Sequence, residues 1–327
     1  LHCEVYLMKI AGRYTAHRPG PNSTTEENAG SDFLRHVDLR KLPGSESGHV
    51  VKGEGKFPRF AQFADGSVFV ATHRGTHKPG RDNSLQGFVS DDGGRTWSEP
   101  RAMFHEPGID PRSPAVGVGP DGTLYAGWRE RKWDESSDSR VAFHRSEDRG
   151  KRWTFVGEVE LPDADRVGHP YGKLLFEDGR ILIPVYTIAK SGKGVMDSRL
   201  FVSADRGATW TQRSIIREGA NETFLMRRPN GDLLAFYRDN QPEVRGIEEK
   251  LWLTASTDDG RTWDEPKALT EPGEHPAEAI FLDDQTLICF YSHRQDPFGV
   301  RARVSHDAGR TWRDDVVLVV DDTWSHY

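Results

Sequence analysis

The sequence predicts an all-β fold, a β-propeller, because one turn phrase recurs at a nearly constant interval, each repeat carries a hairpin signal, and strand-like segments lie between. The phrase is Ser-x-Asp-x-Gly-x-Thr-Trp, with Arg152 in place of threonine in the second copy. A period of this size is typical of repeat architectures. The copies begin 49 to 57 residues apart, at Ser90, Ser146, Ser203, Ser256 and Ser305.

Each repeat predicts four antiparallel strands, which make one propeller blade. An Asp-Gly or similar pair joins the first two strands, and such pairs are a strong hairpin signal because both residues tolerate φ > 0. A third strand, such as Ser84–Val89, leads into the turn phrase, and a short fourth strand, such as Lys267–Leu269, follows it. The hairpin pairs are Asp65-Gly66, Asp121-Gly122, Asp178-Gly179, Asn230-Gly231 and Asp283-Asp284.

The turn phrase itself predicts structure rather than chemistry. Ser, Asp and Thr side chains bond to local backbone in tight turns, glycine supplies a conformation that other residues resist, and tryptophan packs between sheets. Five of the nine tryptophans belong to these turns.

Counting the repeats predicts a six-bladed propeller over residues 51–327, with the sixth blade incomplete in this sequence because a sixth repeat would begin near Tyr327. Residues 1–50 form an N-terminal segment that is partly flexible, and within it His36–Leu42 is a candidate for the outer strand of the last blade.

Composition excludes several classes of function. The net charge of −7 disfavours a nucleic-acid partner, and no apolar run reaches the ~20 residues of a membrane span. Cys3 and Cys289 are far apart, and the thirteen histidines form no metal-ligand motif, so we expect no metal and no cofactor.

Candidate functional residues lie where each repeat begins and where its second strand ends, because these positions surround the propeller axis. Both sets are more polar and aromatic than packing requires, and buried charges are costly unless they are paired or used. They include Arg59, Asp110, Arg112, His169, Tyr171, Glu222, His275, Tyr327, Arg74, Arg129, Tyr186, Arg238 and Arg294.

The turn phrases resemble the Asp-box, or bacterial neuraminidase, repeats of the sialidase superfamily, although similar boxes occur in sortilin-type receptors and xyloglucanases. The resemblance implies that Arg59, Arg238 and Arg294 bind a substrate carboxylate, which a planar guanidinium does bidentately. It also implies that Tyr327 is the nucleophile and that Glu222 takes the phenolic proton, since a tyrosine normally has a pKa near 10.

The acid/base position departs from the family pattern. The loop after the second strand of the first repeat contains one carboxylate, Asp82, a few residues later than the family's aspartate, where His77 or Lys78 stands. Either Asp82 is the acid/base or it is a turn residue beside Asn83. We expect Arg112, His169, Tyr171, His275 and Glu278 to line the same cavity, and Arg74 either to support binding beside the arginine cluster or to pair with Asp82.

The resemblance therefore implies a hydrolase that removes a terminal anionic sugar, sialic acid or a related acid, from a glycan. A secreted or periplasmic location fits that substrate, although this sequence shows no signal peptide. Two alternatives stay open: a propeller glycosidase or lyase that acts on another polysaccharide, and a non-catalytic glycan-binding propeller.

Overall fold

The computed structural model describes residues 5–9, 46–51, 55–75, 80, 82–133, 139–161, 165–189, 196–240 and 248–321. These residues form 23 strands and no α-helix. His77, Tyr327 and the expected strand His36–Leu42 lie outside the described residues.

Five antiparallel sheets follow one another along the chain, and they confirm the all-β propeller. The five blades are, in order, β3–β6, β7–β10, β11–β15, β16–β19 and β20–β23. The count of six blades stays a prediction. The strands of blades 1 and 2 are β3 (Lys56–Gln62), β4 (Val68–Arg74), β5 (Ser84–Ser90), β6 (Arg101–Phe104), β7 (Ile109–Val118), β8 (Leu124–Lys132), β9 (Arg140–Ser146) and β10 (Thr154–Val159).

The remaining blades repeat this order, except that the inner strand of blade 3 is split into two short strands that both pair with β13. Their strands are β11 (Asp165–Pro170), β12 (Leu175–Glu177), β13 (Arg180–Ala189), β14 (Met196–Ser203), β15 (Thr211–Glu218), β16 (Ala220–Arg227), β17 (Leu233–Asp239), β18 (Leu251–Ser256), β19 (Lys267–Ala268), β20 (Glu274–Phe281), β21 (Leu287–His293), β22 (Phe298–Ser305) and β23 (Arg313–Asp321).

A separate two-stranded sheet precedes the blades. Strand β1 (Val5–Lys9) pairs antiparallel with β2 (Glu46–Val51). Val50 of β2 is buried against Val70 and Phe88 of blade 1, so this small sheet is anchored to the propeller through an apolar contact.

The inner strand of every blade is irregular at the same level. Pairing with the second strand shifts between Lys56 and Arg59, between Arg112 and Ala115, between Asn221 and Phe224, and between Glu274 and Ala277. In blade 3 the break falls between β11 and β12. A bulge opposes two residues to one and turns side chains out of the regular alternation.

Several bulge residues adopt left-handed backbone conformations, which a residue other than glycine takes at a cost. Phe57, Ser113 and Glu222 have φ of 52°, 53° and 44°. Gly172, in the break of blade 3, has a φ of 74°. These kinks place the first-strand residues that the sequence singled out at one level of the axis.

The five turn phrases form the closed turns that the sequence predicted. In the fourth copy Ser256 Oγ accepts a 2.8 Å hydrogen bond from the Gly260 amide, and Asp258 accepts bonds from the amide and hydroxyl of Thr262. In the second copy the Arg152 guanidinium bonds to Asp148 at 2.8 Å and so replaces the missing threonine hydroxyl.

The turns of blades 2 to 5 also dock on the blade before them. A Cβ added to Gly207 would lie 2.3 Å from the Phe143 ring, so only glycine fits there, and its φ of 92° is a conformation that glycine adopts readily. Trp210, which ends the same turn, meets Phe143 edge-on at 4.8 Å. The core residues of blades 2 and 3 form one buried cluster across this junction.

A buried histidine lies in the core between blades 1 and 2. The His144 ring stacks on Trp128 with centroids 3.9 Å apart, and it meets Phe104 and Phe155 edge-on. Burial, with a smaller contribution from the positive charge of Arg140, lowers the pKa of His144 to about 4.

We predict that His144 makes the fold sensitive to acid. Above pH 6.5 the imidazole is neutral in both states, but between pH 6.5 and 4 only the unfolded chain binds the proton. The free energy of unfolding should fall by up to roughly 3 kcal/mol over this window because of His144 alone. Urea unfolding of wild type and His144→Phe at pH 7 and pH 4.5 measures the difference.

The matched control is His105→Phe, since His105 is exposed. An acid-induced loss of stability that is equal in wild type and His144→Phe would contradict the assignment.

Candidate functional site

Three first-strand residues from different blades meet on the propeller axis. The Arg59 guanidinium of blade 1 lies over the Tyr171 ring of blade 3, 4.0 Å from its centroid. Glu222 of blade 4 is close enough for its negative charge to raise the pKa of both side chains. The bulges in the inner strands bring these residues, which are far apart in sequence, into one cluster.

Arg238 is held between two glutamates. It lies on β17 opposite Asn221, and its Nη1 donates to Glu222 at 2.7 Å. Its Nε lies 3.3 Å from Glu249 Oε2 on the other side. Burial works against the charge, but Glu222 and then Glu249 outweigh it and raise the pKa of Arg238 above its usual value.

Arg294 completes the group of arginines. It follows β21, where its backbone amide donates to the Gly273 carbonyl at 2.9 Å. Burial lowers the pKa of Arg294, Glu222 opposes this effect, and the neighbouring charge of Arg238 adds to it. Like Arg59, Arg294 forms no salt bridge with a carboxylate among the described residues, and the Nε of each is buried without a hydrogen bond.

Glu222 is therefore the common neighbour of the three arginines. Its negative charge favours the protonated form of Arg59, Arg238 and Arg294. The sequence analysis grouped these four residues, and their role in binding stays a prediction. Two guanidinium groups that form no salt bridge among the described residues are suited to a planar anion such as a carboxylate.

Two tyrosines continue the axial surface from this cluster. Burial, and after it the nearby charge of Glu222, raises the pKa of Tyr186, and burial raises that of Tyr171 well above its usual value. Tyr186 is also within electrostatic reach of Arg129 and Arg238. It therefore lies between the arginine cluster and the polar residues of blade 2.

A second polar cluster surrounds Asp110, which is fully buried. Its carboxylate accepts hydrogen bonds from Asn83 at 2.6 Å, Arg112 at 2.8 Å and Arg129 at 2.7 Å. Three donors on one carboxylate make this a well satisfied network that joins blade 1 to blade 2. Burial, opposed by Asp110, lowers the pKa of Arg129 to about 10.

His169 joins this cluster as a neutral ring. Its Nδ1 lies 3.2 Å from Ser113 Oγ and its Nε2 lies 3.2 Å from Arg129 Nη1. Since a guanidinium can only donate, Nε2 accepts and Nδ1 carries the proton. Burial and the neighbouring arginines lower the pKa of His169 well below its usual value, and the ring stacks on Tyr186 at 4.7 Å.

Asp82 and Arg74 lie at a groove that the arginine cluster does not line. Both residues are exposed, and the groove, of about 630 Å³, is also lined by Phe104 of the outer strand β6. His275, in contrast, is fully buried, and its Nε2 lies 3.7 Å from Glu249. The acid/base role of Asp82 stays a prediction.

Sequence reasoning missed Glu249. This residue is 5% exposed and contacts Arg238, Asn240 and His275. The available signal was the pair Glu248-Glu249 immediately before a predicted strand, where a carboxylate has no packing role.

In the described part of the chain, no group of three or more His, Cys, Asp or Glu side chains is arranged to hold a metal ion. No helix in these residues is long and apolar enough to cross a membrane.

Solved structures with this architecture include several glycosidases. A protein of unknown function from Dyadobacter fermentans superposes with a TM-score of 0.69 at 23% identity over 82% of this chain and 84% of that chain. The Hadza microbial sialidase Hz136 gives 0.68 at 20% identity over 83% of this chain and 60% of that chain.

An α-L-arabinofuranosidase from Fusarium graminearum gives a TM-score of 0.59 at 14% identity over 82% of each chain. At these identities the superpositions show a shared fold. This chain spans about three fifths of the length of the Hadza sialidase.

The five Asp-box blades and the polar axis define a sialidase-type β-propeller. The family model for the BNR repeat-like domain matches residues 69–325, and the chain belongs to that family. Glycosidases of more than one specificity share the fold, and a shared fold does not by itself assign an activity.

We predict that Glu249 stabilises the folded site. Glu249→Ala leaves Arg238 and His275 buried beside an empty position, and removing one partner of a buried ion pair costs roughly 3 kcal/mol or more. Chemical denaturation measures this loss. The matched control is Glu248→Ala, because Glu248 is the exposed neighbour. Equal stability of the two variants would show that Glu249 is not a structural partner of Arg238.

Proposed function

We propose that this propeller is an exo-glycosidase that removes a terminal anionic sugar, with sialic acid or a related ulosonic acid as the first choice. The observation that carries the proposal is the convergence of Arg59, Arg238 and Arg294 around Glu222. Two of these guanidinium groups, those of Arg59 and Arg294, form no salt bridge among the described residues, and a shielded charge without a partner is costly unless an anion binds to it.

In this proposal the substrate carboxylate binds to Arg59 and Arg294, which carry no salt bridge within the described residues, and to Arg238. Glu222 takes the phenolic proton of Tyr327 while the Tyr327 oxygen attacks the anomeric carbon. The glycosidic C–O bond breaks, its electrons go to the leaving oxygen, and that oxygen takes a proton from the acid/base group of the site. A neutral tyrosine avoids bringing a carboxylate nucleophile against an anionic sugar. Water then attacks the same carbon and releases the sugar and the tyrosine.

A second candidate keeps the fold and changes the sugar. The Fusarium graminearum relative is an arabinofuranosidase, a class that acts on a neutral sugar. A panel of aryl sialosides, uronides and arabinosides separates the two. Turnover of neutral sugars alone would contradict the binding of a substrate carboxylate by the three arginines. Binding of a sialoside without turnover would favour a glycan-binding propeller.

We predict that Arg294→Lys and Arg238→Ala each lower kcat/KM for an aryl sialoside by about 100-fold or more, because each removes charge-assisted hydrogen bonds to the carboxylate. Release of the fluorescent aryl group measures the rate. The control is Arg261→Ala, since Arg261 is exposed in an Asp-box turn. Unchanged kcat/KM in Arg238→Ala would refute the clamp.

We predict that Tyr327 carries the covalent intermediate. A sialic acid fluorinated beside the anomeric carbon slows hydrolysis of the glycosyl-enzyme, so the adduct accumulates and peptide mass spectrometry locates it. The expected adduct is on Tyr327, and Tyr327→Phe should show none. An adduct on Tyr171 or on a carboxylate would overturn this assignment.

A further inference from the structure

Glu278 is a second carboxylate at the axial site. It lies on the inner strand β20, just past the bulge between Glu274 and Ala277, and pairs with Phe290 of β21. It acts electrostatically on Arg59 and on Tyr171, the same two groups on which Glu222 acts. Blades 4 and 5 therefore each contribute one carboxylate to the contact between Arg59 and Tyr171.

The two carboxylates differ in how they are held. Glu222 Oε2 accepts a hydrogen bond from Arg238 at 2.7 Å and forms an ion pair with it. Glu278 Oε1 is buried and accepts no hydrogen bond from any described residue. A buried carboxylate oxygen without a partner is rare, and at a ligand site it is suited to bond with the ligand.

The balance of charge at the site indicates what Glu278 does when a substrate binds. The charges of Arg59, Arg238 and Arg294 are opposed by three carboxylates, those of Glu222, Glu249 and Glu278. An anionic sugar adds a fourth negative charge to this buried place. A proton taken up with the sugar would restore the balance, because an added negative charge favours the neutral form of a nearby carboxyl group.

Glu278 is the carboxylate of the three that forms no ion pair with an arginine among the described residues. Glu222 and Glu249 are each bonded to Arg238, so protonating either would weaken an ion pair. Protonating Glu278 would break no ion pair with any described residue. The arginines of the neighbouring strand β22 donate hydrogen bonds to other groups. Arg301 donates to Glu274, and Arg303 donates to the Leu269 carbonyl.

We propose that Glu278 is the proton donor of the site: binding of the anionic sugar loads it with a proton from solvent, and it passes that proton to the glycosidic oxygen as the C–O bond breaks. The bonding electrons go to the leaving oxygen, which takes the proton, and Glu278 becomes a carboxylate. That carboxylate then takes a proton from the attacking water. This assignment rests on the proposed function and places Asp82 outside the chemistry.

The kinetic test compares Glu278→Gln and Asp82→Asn with the exposed control Glu265→Gln. A proton donor matters for a poor leaving group and little for an activated one, and general acid catalysis contributes roughly 100-fold or more. Glu278→Gln should lose that factor on an alkyl glycoside, lose less than about tenfold on an aryl glycoside, and lose the alkaline limb of its pH–rate profile. Asp82→Asn should behave like the control.

A binding test needs no turnover. Calorimetry near pH 6, in two buffers of different ionisation enthalpy, measures the protons taken up when the free sugar acid binds. Wild type should take up as much as about one proton per ligand, and Glu278→Gln close to none.

Equal proton uptake by wild type and Glu278→Gln would overturn the assignment. So would a rate loss in Asp82→Asn that is large on the alkyl glycoside and small on the aryl glycoside. Neither result would contradict the proposed glycosidase activity. A wild type that hydrolyses no member of the glycoside panel would instead overturn the proposed function, and the catalytic role of Glu278 with it.

Discussion

The contact between an Asp-box glycine and the preceding blade is the constraint on which the rest of the structure depends. Gly150 lies against Phe69, Gly207 against Phe143 and Gly260 against Leu200, and an added Cβ would come within 2.3 to 2.6 Å of these side chains. Interiors are packed too tightly to absorb such an overlap. The spacing of the blades is therefore fixed at their outer turns, and that spacing sets how closely the inner strands approach one another around the axis.

The axis that results is divided into two electrostatic regions. Around Asp110 the charges are closely paired, with three donors on one carboxylate. Around Glu222 the pairing is incomplete, since Arg59 and Arg294 form no salt bridge within the described residues. Tyr186 lies between the regions and within reach of both. A paired region stabilises the fold, whereas an incompletely paired region can gain its missing interactions only from a ligand.

The sequence predicted the features that depend on neighbouring residues. The Asp-box turns and the hairpins are local, so Ser, Asp, Gly and Trp at fixed spacing were enough to number the blades and to group Arg238 with Glu222. The bulges were not predictable, because a bulge depends on how two strands pair across the sheet. The role of Glu249 was hidden for a similar reason, since its partners Arg238 and His275 belong to other strands. Tyr327 lies outside the described residues, and its role stays a prediction.

The backbone at Glu222 sets local strain against an ion pair. With a φ of 44°, Glu222 occupies the left-handed region at a cost of order 1–2 kcal/mol, which a glycine would not incur. Glycine at this position would relieve the strain but would also remove the carboxylate that bonds to Arg238, and breaking a buried ion pair costs roughly 3 kcal/mol or more. The bent backbone is therefore retained by the charge that it carries, and a search for heat-resistant variants gains nothing by starting here.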